Sequence, residues 1–326
     1  MPRGRDGGAA HWAQTLPHLR SVGGGDFALA QRPHLVGLLL ALVACGRAGS
    51  RTPAAGSLAV TDDAGRAVTL AAPARRIVSL APSSTELLFA IGAGDRVVGR
   101  TTWCRYPAAA LSVPVVGDGL NPNIEAIATQ HPDLVVLYAS ALNETAARQL
   151  ERIAIPAVIL RQDLLEHVAR DARLLGRLTA HESGGDSVAR AVLEALEAPP
   201  PWPTSASRRR VAFVVWDNPP MVIGAGSFLD QLAELAGVHN AFHDLTSASA
   251  TVSLETIAAR DPDVVITIAD SEDARLPAFA SAREWQVVRA VRERRVLTLS
   301  GALFGRPSPR AAAAVAELRR RLQVLR

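Results

Sequence analysis

The sequence predicts an α/β protein of two similar lobes, and three observations predict it. First, one motif occurs twice, 130 residues apart: Asn123-Ile124-Glu125-Ala126-Ile127 leading to Pro132-Asp133-Leu134-Val135-Val136, and Ser253-Leu254-Glu255-Thr256-Ile257 leading to Pro262-Asp263-Val264-Val265-Ile266. Each copy reads as a helix cap, a short helix, a Pro-Asp turn and a buried strand. Second, short β-branched runs alternate with helical patterns around each copy, which argues for parallel sheets. Third, residues 163–198, between the copies, carry helical periodicity and no strand. The chain has 326 residues, 48% of them hydrophobic, enough for about two domains with substantial cores.

The elements follow in order. Val60 to Leu70 alternates around Asp62-Asp63-Ala64-Gly65, a hairpin signal. Arg76 to Leu80 is a short strand. Pro82-Ser83-Ser84 then introduces a helix at Thr85 to Phe89, closed by Gly92 and Gly94. Val97 to Gly99 and Val115 to Gly117 are extended. The first repeat supplies a helix and the strand Leu134 to Tyr138, after which Asn143 to Ile153 is helical and Ala157 to Leu160 is a strand. Residues 163–180 and 182–198 are two helices, and Pro199 to Pro203 stops the second. That second helix, Glu182 to Ala198, has the length of a bridge, about 25 Å at 1.5 Å per residue, with Gly184 and Gly185 expected to shorten it.

The second half restarts at Val211 to Val215. A loop is expected over Met221 to Gly226, a helix over Phe228 to Ala236, the second repeat, a strand at Val296 to Leu299 and a last helix over Ala311 to Leu325. The implied division is an N-terminal lobe over 58–161, a helical linker over 162–203 and a C-terminal lobe over 204–326.

The start of the chain carries a separate signal. Arg32 precedes the apolar run Leu35 to Val43, and Leu42-Val43-Ala44-Cys45 follows, which resembles a bacterial lipobox with Cys45 as the lipidated residue. The run is too short to span a bilayer as an anchor. Residues 1–45 are therefore expected to be leader and lipoprotein signal, and residues 46–57, rich in Gly, Ala, Ser and Pro, a flexible tether. The membrane would be reached through the lipid alone.

Charge and composition exclude several classes. The net charge is +4, and every basic residue is arginine; the chain contains no lysine. The arginines are scattered, with triples only at Arg208-Arg209-Arg210 and Arg319-Arg320-Arg321 and no interleaved aromatics, so nucleic-acid binding is unsupported. No nucleophile elbow and no phosphate-cradling loop is present. No catalytic residue and no metal centre is assigned. His239 and His243 stand four apart, but Gly237 ends the helix that would have aligned them. Cys104, the one cysteine besides Cys45, is expected to be free.

Aromatics make up only 4% of the chain, so their positions carry weight. Trp103, Tyr106, Tyr138, Trp216 and Phe304 fall where strands give way to loops. Ligands of open α/β sheets bind beyond the carboxyl ends of strands, and rings there can cover a large, flat, partly apolar ligand.

At Arg75 to Glu86, Cys104-Arg105-Tyr106-Pro107, Gly117 to Glu125 and Pro132 to Val136, the chain resembles the extracytoplasmic solute-binding proteins of ABC importers for cobalamin, iron-siderophores and haem. Asp217-Asn218-Pro219-Pro220 and Phe304 to Arg310 resemble the cobalamin-binding branch. The resemblance covers about residues 58–326. It implies two Rossmann-like lobes with parallel sheets, joined by a single long helix, a ligand cleft between the lobes and little hinge motion. It further implies a binding protein without catalysis or cofactor, with an ABC permease dimer and its ATPase as partners. The ligand would be cobalamin or a related corrinoid, held by Trp103, Tyr106, Tyr138, Trp216, Phe304 and Arg306.

The resemblance also gives Glu125 and Glu255 the role of docking onto permease arginines. Helix-dipole complementarity is the alternative; capping-box geometry does not demand them, since each lies two residues after its cap rather than three. Two departures from the branch stand out. Ala248, Ser249 and Ala250 replace a stretch that often carries tryptophan, and Gly117-Asp118-Gly119 lacks an aromatic. Haem or a ferric siderophore thus remains as ligand alternative, with Tyr106 or Tyr138 as the axial candidate for haem. An α/β enzyme of nitrogenase-like architecture and a surface adhesion module remain from other classes.

Overall fold

The computed structural model describes residues 57–197, 208–269 and 276–324. Cys45, the leader, tether residues 46–56 and the Pro199 to Pro203 stop lie outside the described residues.

The N-terminal lobe starts with an antiparallel hairpin, β1 (Leu58–Thr61) and β2 (Ala67–Leu70). There follow β3 (Ile77–Ser79), α1 (Pro82–Ala90), β4 (Val97–Thr101), β5 (Val115–Gly117), α2 (Ile124–Ala128), β6 (Leu134–Tyr138), α3 (Ala141–Arg152) and β7 (Ala157–Leu160). β3 to β7 form a parallel sheet in the order β5-β4-β3-β6-β7. Strands covered on both faces read as continuous apolar runs, as β6 and β7 do. The tip of the β1–β2 hairpin shields the edge of β7: Asp63 N–H donates to Ile159 O (3.0 Å), and the Ile159 and Arg161 amides donate to Asp62 Oδ2 (3.1 Å) and Asp63 Oδ2 (2.5 Å).

Two helices, α4 (Leu165–Leu178) and α5 (Glu182–Glu197), pack against each other and lead to the second lobe. Gly184 and Gly185 do not shorten α5, contrary to the sequence expectation. They are close-approach positions: a Cβ on Gly184 would lie 2.1 Å from Ile91 O, and one on Gly185 2.5 Å from Ala172 O. The absence of side chains lets α5 seat directly on α4 and on the end of α1.

The C-terminal lobe contains β8 (Arg210–Asp217), β9 (Pro220–Ile223), α6 (Phe228–Ala236), β10 (His239–Asn240), β11 (Ser249–Thr251), α7 (Leu254–Arg260), β12 (Val264–Ala269), α8 (Arg289–Arg292), β13 (Val296–Ser300), α9 (Gly301–Phe304) and α10 (Ala311–Val324). Its sheet runs β11-β9-β8-β12-β13, with β10 also pairing β8. β8, β12, β13 and β10 are parallel, but β9 returns antiparallel to β8 and β11 antiparallel to β9. The sheet is therefore mixed, where parallel sheets were expected, because the segment read as a loop at Met221 to Gly226 forms a hairpin strand.

The repeat is visible atom by atom. Asn123 Oδ1 accepts from Ala126 N–H (2.9 Å) and Ser253 Oγ from Thr256 N–H (3.2 Å), capping α2 and α7 alike. Beyond these helices His131 and Asp261, also 130 apart, take left-handed backbones with φ 46° and 44°, a region that His and Asp enter more readily than most residues. The Asp of each Pro-Asp turn then clamps the first strand of its own sheet. Asp133 accepts from the Arg75 and Arg76 amides (2.8 and 3.0 Å) and returns its own N–H to Arg76 O (2.9 Å). Asp263 accepts from Arg210 N–H (2.9 Å) and returns its own to Arg210 O (2.8 Å).

One apolar cluster runs through both lobes. It joins Ile77, Leu87 and Leu134 to Leu165, Leu175 and Val192 of the linker helices, and these to Phe213, Leu232 and Leu318 of the second lobe. Two smaller clusters lie on the outer faces, around Val135 and Leu150 in one lobe and Phe242 and Trp285 in the other.

Candidate functional site

The carboxyl ends of β3 to β7 all open on the same edge of the first sheet, and the loops leaving them meet a loop of the second lobe at residues 305–310. Ser83 Oγ, at the start of α1, donates to Pro307 O (2.8 Å). One turn on, Glu86 is 2% exposed and its carboxylate takes both Arg310 Nε–H (2.5 Å) and Nη2–H (3.1 Å). Arg306 Nη2 reaches the same carboxylate at 3.3 Å. Burial lowers the pKa of Arg306 from its ordinary value, while Glu86 acts in the opposite sense. Two guanidiniums around one carboxylate leave a net positive charge at this junction.

Tyr106 completes the junction from the first lobe: the Arg310 guanidinium carbon lies 3.7 Å from the centroid of its ring, a close cation–π contact. Trp103, on the same loop, is half-exposed with Arg105 over its ring at 5.6 Å. Tyr138, at the end of β6, is also half-exposed, and its hydroxyl donates to Asp163 Oδ1 (2.6 Å). Partial burial and that hydrogen bond hold its phenol well above the usual range. From the opposite lobe Trp216, near the end of β8, is partly buried and donates Nε1–H to Asn218 O (2.8 Å).

The structure thus brings Tyr106 and Arg306 together through Arg310 and Glu86, and leaves Trp103, Tyr138 and Trp216 half-open at strand ends. Phe304 is a correction. It is 1% exposed and belongs to the apolar cluster that runs through the lobes, because α9 turns its ring inward. Arg306 is likewise engaged by Glu86 rather than open to a ligand.

Sequence reasoning missed Glu86, Arg310, Asp163 and Leu120. Leu120 is exposed on a turn held by Asp118 Oδ1, which accepts from the Leu120 and Asn121 amides (2.8 and 3.0 Å). That turn crosses the ends of β3 and β4: Gly119 has φ 86°, and a Cβ there would stand 2.7 Å from Leu80 O. Leu120 therefore sits where the sequence lacked an aromatic. The apolar residue after Gly117-Asp118-Gly119 was the signal available in the sequence.

Cys104 is free and fully buried, between the hydroxyls of Thr85 (3.0 Å) and Thr101 (3.1 Å). A cavity of about 630 Å³ lies elsewhere, on the face of α4 and α5 beside the β1–β2 hairpin. Its charges are largely neutralised within it, Arg170 by Asp63 (2.6 Å) and Arg173 by Asp186 (3.3 Å). None of the cleft residues lines it. Glu125 and Glu255 are exposed in the first turns of α2 and α7. The Glu255 carboxyl is held below its usual range by its own backbone amide and by Ser253.

Two α/β lobes on a shared helical spine, with aromatic loops at facing strand ends, define a binding protein of the two-lobed solute-capturing class. The model of the periplasmic binding protein family matches residues 77–303, and the chain belongs to that family. It is 26% identical over 266 residues to an uncharacterized ABC transporter substrate-binding lipoprotein, YvrC, of Bacillus subtilis, covering 79% of this chain and 83% of the relative. The periplasmic vitamin B12 binding protein BtuF of Vibrio cholerae superposes with a TM-score of 0.63 at 27% identity, covering 78% of this chain and 98% of that one. The periplasmic haem-binding protein BhuT, in complex with two haems, superposes with a TM-score of 0.67 at 26% identity, covering 77% and 98%. The protein is a substrate-binding component of an ABC transporter. Among the described residues no helix is long and apolar enough to cross a membrane.

Proposed function

We propose that the protein captures a corrinoid, cobalamin or a close relative, between its lobes and delivers it to a permease. The observation that carries this reading is the set of rings at strand ends: half-exposed Trp103, Tyr106 and Tyr138 from one lobe and partly buried Trp216 from the other, with exposed Leu120 on the turn across β3 and β4. Such a lining suits a broad, partly apolar ring with polar edges. The likeness to the Vibrio cholerae vitamin B12 binder supports the same ligand.

One observation favours haem as a second reading. Tyr138 is a poor axial ligand, because its proton is held by Asp163. Tyr106 is better suited: it is half-exposed, and its ring is stacked under the Arg310 guanidinium at 3.7 Å.

Delivery rests on Glu125 and Glu255, exposed at equivalent positions of the two lobes and proposed to dock onto cationic groups of the permease dimer. Attachment to the membrane rests on lipidation of Cys45, which the name of the Bacillus subtilis relative supports.

The test is calorimetric titration of the purified protein with cyanocobalamin, haemin and a ferric hydroxamate in parallel. Saturable one-to-one binding of cyanocobalamin, weakened in Trp216→Ala, is the expected result. Binding of haemin alone, with a charge-transfer band lost in Tyr106→Phe, would replace the corrinoid reading by the haem reading.

A further inference from the structure

At the amino end of the second sheet, remote from the cleft, two histidines stand against one face of α6. His239 opens β10, which pairs with the start of β8 (His239 opposite Arg210). His243 follows four residues later. Their ring centroids are 5.8 Å apart, with planes at 52°. Both side chains are about half-exposed, at 43% and 49%.

Each ring is backed by a carboxylate. His239 Nδ1 lies 3.2 Å from Glu234 Oε1, and His243 Nδ1 lies 2.8 Å from Asp230 Oδ2. An ionised carboxylate only accepts, so each Nδ1 carries the hydrogen and each neutral ring keeps its lone pair on Nε2, across the ring. Asp230 and Glu234 are one turn apart on α6, which places their side chains on one face. Both Nδ1 atoms are therefore engaged by carboxylates of α6, and Nε2 is the nitrogen each ring has left for a ligand.

The carboxylates are themselves fixed. Asp230 is almost fully buried and its Oδ1 accepts from Asn240 Nδ2 (2.8 Å); Glu234 Oε2 accepts from Arg208 Nη1 (2.7 Å). A carboxylate that holds the tautomer and orientation of an imidazole is the usual outer partner of a metal-binding histidine.

We propose that His239 and His243 form a site for a divalent transition-metal ion of the zinc or nickel type, bound through both Nε2 atoms with water completing the shell. Imidazole suits these ions, and metal–nitrogen bonds of about 2.0–2.1 Å bring two rings to about the spacing seen here. No group of three or more His, Cys, Asp or Glu side chains is gathered for one ion among the described residues. The site thus has two protein ligands, unlike a closed structural centre, and exchanges its ion readily.

The test is calorimetric titration of the tag-free protein with zinc chloride and with nickel chloride at pH 7.5. One saturable ion per chain is expected, lost in His239→Gln and in His243→Gln. Glu234→Gln should weaken binding by about 10–100-fold, the usual effect of removing an outer partner. Absence of binding by the parent protein, or binding that survives His239→Gln/His243→Gln, would overturn the proposal. Imidazole resonances of the unaltered protein give a second readout independent of the folding of any variant. Zinc should shift those of His239 and His243; shifts confined to other histidines would equally overturn it.

Discussion

Glu86 and Arg310 meet across the two lobes in a two-point ion pair, with 220 residues and more of chain between Glu86 and its partners. Nε and Nη2 of Arg310 lie 2.5 and 3.1 Å from the two carboxylate oxygens, and Arg306 adds a third contact at 3.3 Å. Bidentate guanidinium–carboxylate pairs fix direction as well as distance. Removing one partner of a buried pair leaves an uncompensated charge and costs roughly 3–5 kcal/mol. Glu86→Gln should therefore lower unfolding free energy by about 3 kcal/mol, read by denaturant titration, and should broaden the interlobe distance seen by small-angle scattering. A change confined to stability, with the scattering profile unaltered, would show that the pair does not set the lobe angle.

Gly184→Ala tests the seating of α5. The added Cβ would meet Ile91 O at 2.1 Å, a backbone atom with no freedom to retreat. The expected loss is at least about 3 kcal/mol, the upper end for overpacked cores. Glycine-to-alanine changes on exposed helix faces normally stabilise, so an unchanged melting temperature would refute the close approach.

Asp171, on α4, is fully buried beside Arg170 (2.8 Å). Burial pushes its carboxyl up to about 7, with Arg170 pulling it down and Asp63 adding to the rise. A carboxyl raised in the folded state gives stability that is complete below its unfolded value near 3.8 and is lost as pH rises through about 7. The full swing is on the order of 4 kcal/mol. Melting temperature should fall between about pH 4 and pH 7 and level off above, and Asp171→Asn should flatten that fall.

His167 acts in the opposite sense. Its Nδ1 accepts from the Asp163 and Leu164 amides (3.2 and 3.3 Å), a role open only to the deprotonated nitrogen, and burial with Arg170 nearby lowers its pKa. Its contribution is present above pH 6.5 and is lost as pH falls through the lowered value. His167→Asn should remove this loss on acidification while leaving in place the fall with rising pH that Asp171 causes; persistence of the loss in the variant would assign it elsewhere.

Glu125→Arg with Glu255→Arg tests delivery apart from capture. Both residues are exposed and neither forms an ion pair with another described residue, so folding and ligand affinity should be unchanged. Uptake by cells carrying the doubly reversed protein should be abolished. Normal uptake would leave the two glutamates with helix-dipole complementarity alone.

Much of this architecture was legible in the sequence because it is local. The caps Asn123 and Ser253, the apolar strands and the Pro-Asp turns are defined within about a dozen residues, and the repeat made each copy a check on the other. Trp103, Tyr106, Tyr138 and Trp216 were legible as strand-end rings for the same reason. What was not legible depends on partners distant in the chain. Phe304 reads as a loop aromatic until α9 is seen to turn it into the core. Arg306 reads as a free cation until Glu86 is placed beside it. Gly184 and Gly185 read as weak points because nothing local shows that Ile91 O and Ala172 O will press against them. β9 was missed because four residues, begun by a proline, resemble a loop as much as a strand.

The apolar cluster threading both lobes makes neither lobe a unit of folding. Cutting the chain in the linker would strand a seam of Leu165, Leu175 and Val192 on one fragment or the other, and would strip Phe213, Leu232 and Leu318 of their neighbours. Melting should accordingly appear as a single cooperative step, with hydrogen exchange in β6 and β12 rising together rather than lobe by lobe. The two copies of the repeat, still recognisable in sequence, share one core and no longer have separate lives.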